Sequence, residues 1–170
     1  MKTLASLILA IAALVIVNAQ QQPKKDMSDM AHEQMNKRGD HVMGFDHTRT
    51  THHFLLQEAG GSIEITANNA DDVETSKQIR MHLGHIAHMF AEGNFNAPMI
   101  IHEQIPPGVP VMQELKGEIK YDFEEIDRGA AVRISTKNPA ALKAIHDFLR
   151  FQIKEHKTGD SVVIGKRSGA

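Results

Sequence analysis

The chain has 170 residues, a formal net charge of −2 and no cysteine, but eleven histidines and nine methionines. The length suits one domain with a modest core, and the lack of a basic excess argues against nucleic acid as a partner. Without thiols there is neither a disulfide nor a thiolate ligand, so a bound metal would be held by His, Met, Asp, Glu or backbone groups.

Residues 1–19 read as a secretory signal peptide. Lys2 supplies the positive start, Leu4 to Val17 the apolar run, and Val17-Asn18-Ala19 a cleavage site after Ala19. The run is short for a stable span and no second one follows, so no stable membrane insertion is expected after cleavage. The mature chain is expected in the periplasm or secreted.

Residues 20–46 form a polar leader rich in Met and His. A short helix is predicted from Ser28, capped by Ser or Asp. It carries Met27, Met30, His32 and Met35, with His41 and Met43 beyond Gly39. Thioethers and imidazoles are copper ligands, so the leader is a candidate copper-collecting arm; the alternative is that Met30 and Met35 cover an apolar edge of the domain.

The domain itself is placed at 47–160. Thr51-His52-His53-Phe54-Leu55-Leu56 and Ser62-Ile63-Glu64-Ile65-Thr66 alternate around Gly60-Gly61, which predicts a β-hairpin turning at the glycines. Alternation puts His52 on the Phe54 face and His53 on the opposite one. A helix is predicted from Ala70 to Ala91, with Asn69 as N-cap and Gly93 ending it. Its apolar stripe is Ile79, Leu83, Ile86, Ala87 and Phe90. At about 100° per residue, His82, His85 and Met89 share the edge of that stripe, and His88 points almost opposite.

Residues 93–110 read as a proline-stiffened loop with His102-Glu103 at its middle. Pro110 would open a short helix over Val111 to Lys116. Then the pattern returns: strands around Tyr121–Glu125 and Ala131–Ser135, a turn at Asp127-Arg128-Gly129, and a helix from Pro139 to about His156 capped by Asn138. One offset of 69 residues sets Phe54 on Phe123, Gly60 on Gly129, Ile63 on Val132 and Asn69 on Asn138. The fold class expected is α+β: two ββα repeats forming one antiparallel sheet with both helices on one face. Its other face is left free for a second copy to dimerise on. Residues 161–170 read as a flexible tail.

The repeat sharpens the histidine question. The second half shares the scaffold but has Tyr121 where the first has His52. Histidines needed by the fold would occur in both halves.

The motifs Met43-Gly44-Phe45-Asp46, Thr51-His52-His53-Phe54, Pro106-Pro107-Gly108-Val109-Pro110 and Phe148 to Asp160 resemble a family of small exported bacterial proteins with no settled function. The resemblance covers residues 43 to 160. Members often carry the label aspartate carbamoyltransferase, but this chain has no Ser-Thr-Arg-Thr phosphate loop and is too short for that enzyme's two domains.

The function expected is a periplasmic, His-rich metal-binding protein handling copper or zinc. His52, His82 and His85 are the preferred ligands, with His53, His102, His47 and His88 in reserve. One alternative is a metal-dependent hydrolytic enzyme with Glu103 or Glu92 as base. The other is a metal-free binding or dimerisation domain.

Overall fold

A computed structural model describes residues 26–164. The signal-peptide expectation and the last residues of the tail lie outside the described residues. The described residues are α+β, with one four-stranded antiparallel sheet and five α-helices. Strands β1 (Thr50–Gln57), β2 (Gly60–Ala67), β3 (Ile119–Ile126) and β4 (Gly129–Thr136) are ordered β1-β2-β4-β3. At the centre Ile63 faces Val132 across β2 and β4, and Phe54 and Phe123 continue that row outward.

Strand alternation sends His52, Phe54, Ile63, Ile65, Val132 and Ile134 to one face, where helices α2 (Val73–Ala91) and α5 (Pro139–His156) cover them. Ile79, Leu83, Ile86, Ala87 and Phe90 are all buried, as their helical spacing requires. The opposite face is polar. There Arg133 bridges Glu64 on β2 and Glu124 on β3.

Several boundaries differ from those read in the sequence. The first hairpin turns at Glu58-Ala59, and Gly60-Gly61 open β2 instead. The reason is close approach: a Cβ on Gly60 would lie 1.9 Å from the Ile134 carbonyl oxygen, and one on Gly61 2.3 Å from Leu149 Cδ1. Gly129 plays the same part, with its Cβ position 1.9 Å from the Ile65 carbonyl oxygen. Helix α2 starts at Val73, later than expected, because Asp72 caps it by accepting from Thr75 N. Asn69 instead closes a turn onto Asp71 N. Asn138 caps α5, accepting from Ala140 N and Ala141 N.

The segment read as a loop contains helix α3 (Asn96–His102), followed by α4 (Val109–Glu114) with Pro110 in its first turn. In the leader, α1 (Met27–Met43) runs through Gly39 and stops at Gly44, whose φ of 79° suits a left-handed cap. Helix α1 is not a detached arm. It lies against α3, Arg38 Nε donates to the Ile101 carbonyl at 2.8 Å, and Met35 is buried. Phe45, just after it, joins the core. Among the described residues no helix is long and apolar enough to cross a membrane.

Candidate functional site

With α1 docked, a pocket of about 270 Å³ opens between it, the start of β1 and the end of α5. Its walls include His32, Met35 and Met43 from α1, His47 from the 3-10 turn that follows, His52 from β1 and His156 from α5. These six side chains come from four elements.

His47 is the most constrained of them. Its Nδ1 lies 2.8 and 3.0 Å from the two oxygens of Asp40, and its backbone N–H donates to Asp40 as well. A carboxylate only accepts, so Nδ1 carries the proton of this contact, and Nε2 is the ring nitrogen that Asp40 leaves unengaged. His32 is tied in a similar way, donating to the Glu155 carbonyl, while burial and the nearby Lys157 lower its pKa. Metal-ligating histidines usually have one ring nitrogen fixed by a carboxylate or carbonyl, which orients the ring and sets its tautomer.

His52 lies between Phe45, with ring centroids 6.4 Å apart, and His156, at 6.1 Å with rings nearly parallel. It is half-buried, yet its Nε2 is closed off and has no hydrogen-bond partner. Burial, with the like charge of His82 next in weight, pushes its pKa down to about 4. His156 is pushed down to about 3 by burial, then by His102 and His52. Both rings are therefore neutral near pH 7, the form that binds metal.

Of the remaining sequence candidates, His82 packs edge-on to Phe45 at 5.7 Å, and burial followed by His85 lowers its pKa to about 4. His85 and His88 are exposed, and His88 Nε2 lies 3.6 Å from Glu92. Phe45 touches both His52 and His82. Among the described residues, the only three His, Asp or Glu side chains with ligating atoms within 4.8 Å of one another are Asp40, Asp46 and His47. His52, His82 and His85 are thus not gathered around one point. Asp46 in that trio already caps the following turn, accepting from Thr48 N and Thr48 Oγ1.

His53 faces the other side of the sheet, and its Nδ1 lies 2.8 Å from Asp160. Asp160 also accepts from Phe54 N, tying the C-terminal tail to the edge of β1. His102 is buried, with Nε2 3.0 Å from Gln152 Oε1, and its ring meets that of His156 at right angles, 5.1 Å away. Burial lowers its pKa, and its Nδ1 has no partner. Glu103 is exposed, outside the pocket, and paired with Arg38 at 3.1 Å.

His156, at the C-terminal end of α5, and Asp40, in the last turn of α1, were not among the sequence candidates. Neither stands at a diagnostic spacing from His47 or His52; only the docking of α1 and α5 brings them there. No family model, curated protein or solved structure matches this chain.

Proposed function

We propose that this is an exported metal-handling protein whose pocket between α1, β1 and α5 binds copper or zinc. The observation that carries it is the Asp40–His47 pair. A carboxylate fixes Nδ1 of a ring on the same pocket as His52, whose Nε2 is without a partner.

The proposed ligands are drawn from His32, His47, His52 and His156. Met35 and Met43 add soft thioether sulfurs that favour Cu(I), while the imidazoles suit Cu(II) and Zn(II). The ligating atoms are not drawn into one cluster, so loading would pull α1 toward β1 and α5. The distribution over the two halves supports the reading. Strands β3 and β4 repeat the bounds of β1 and β2 at a constant offset, as a duplicated ββα unit would, yet Tyr121 stands where the first half has His52. The histidine belongs to the site and the scaffold does without it.

Calorimetric titration of the mature protein with Cu(I), Cu(II) and Zn(II) tests the proposal. One saturable site tighter than about micromolar, lost on combined replacement of His47 and His52 by Ala, is expected. Absence of any such site for all three ions sinks it.

A further inference from the structure

Beside the pocket lies a second, smaller chamber of about 60 Å³, itself open to solvent. Met43, His52 and His156 line both spaces and form the wall between them. The far walls are core side chains, including Ile65, Leu83 and Phe148. Two polar side chains of the lining are incompletely satisfied. Gln152 is 4% exposed and its Nε2 has no hydrogen-bond partner; His52 Nε2 has none either. A buried amide N–H without an acceptor is costly to leave unpaired, so such groups call for an occupant. The volume exceeds the ~10–15 Å³ that one water needs.

We propose that this chamber binds one small neutral hydroxylated molecule, of about two to four heavy atoms, whose oxygen accepts from the Gln152 amide while its apolar remainder lies on the aliphatic wall. A hydroxyl is the matching group because its oxygen accepts from the amide N–H and the group carries no charge. A charged ligand is disfavoured, because no Asp, Glu, Lys or Arg lines the chamber to offset its desolvation. An apolar gas would leave the Gln152 nitrogen unpaired.

The metal-free protein is the material for the test, so that failure here and failure of the metal reading are separate results. Ethanol is titrated into protein labelled at isoleucine methyl groups and glutamine side-chain amides, and followed by NMR. Saturable shifts at Ile63, Ile65 and Ile86 and at the Gln152 amide are expected, with contacts between the ethanol methyl and Ile65. Gln152→Leu should weaken binding at least about tenfold, the loss of one buried hydrogen bond. Leu83→Phe, which fills the chamber, should abolish it. Linear, unsaturable shifts in the wild-type protein overturn the proposal without recourse to any variant. So does a chamber that holds a water ethanol cannot displace, or one that takes xenon but not ethanol.

Discussion

Asp40 grips His47 with both carboxylate oxygens, at 2.8 and 3.0 Å from Nδ1, across the last turn of α1 and the bend that follows. The contact orients the ring and removes one of its two tautomers. Asp40→Asn keeps the shape but offers an amide in place of the anion. Metal affinity is expected to fall about 10–100-fold, the usual effect of losing such a supporting group. Calorimetry on wild type and variant, with circular dichroism as a check on folding, measures it; equal affinities would remove His47 from the ligand set.

Glu103 provides the converse comparison. It is exposed, bound to Arg38 and outside the pocket. Glu103→Gln should leave metal affinity within about twofold and shift stability by no more than ~0.5 kcal/mol, as surface substitutions do. A large loss of affinity in this variant would place the ion near α3 instead.

The buried imidazoles make stability depend on pH. His52 and His82 are held at about 4 and His156 at about 3, all below the ordinary value near 6.5. The unfolded chain therefore binds more protons than the folded one between roughly pH 6.5 and pH 3–4. Stability is fully present above about 6.5 and falls as the pH drops through that window, by roughly 1–3 kcal/mol for each ring. Urea melts at pH 7.5, 5.5 and 4.5 check the sign. His156→Phe should flatten the slope; a slope unchanged in that variant would mean the ring is not buried in its neutral form.

Gly129 sits where β4 passes β2, and a Cβ there would lie 1.9 Å from the Ile65 carbonyl oxygen. Gly129→Ala cannot be absorbed by a flexible side chain, since the obstacle is backbone. A loss of about 3 kcal/mol is expected, read from the denaturation midpoint. Gly117→Ala, with open space around its Cβ position, is the neutral control.

Asp160 closes the tail onto the sheet edge through His53 Nδ1, Phe54 N and Thr158 Oγ1. Asp160→Ala leaves the Phe54 N–H without its acceptor and should cost about 1–3 kcal/mol. Hydrogen exchange at the Phe54 amide is the direct readout and should accelerate markedly. Unaltered protection there would show that the tail is not what shields this edge.

Local patterns determined much of the architecture. The period-two strands, the apolar stripe through Ile79, Leu83, Ile86 and Phe90, and the Asn138-Pro139 start of α5 each follow from neighbours in the chain, and the structure follows them. Strands β3 and β4 lie 69 residues after β1 and β2. The glycines were misread because their need is not local. Gly60 and Gly61 look like a turn, yet they are small because other elements press against them. Some histidines could be placed on faces by the same periodicities: His52 inward, His53 outward and His88 away from the stripe, whereas His85, read at the stripe's edge beside His82, is exposed. Which of them meet was decided only by tertiary packing. Phe45 stands against both His52 and His82, while α1 and α5 carry His32 and His156 to the mouth of β1. Helical and strand periods set the direction of a side chain from its own backbone, but the distance between two rings depends on how separate elements dock. That is governed by burial summed over the whole core, a sum that no single stretch of sequence contains.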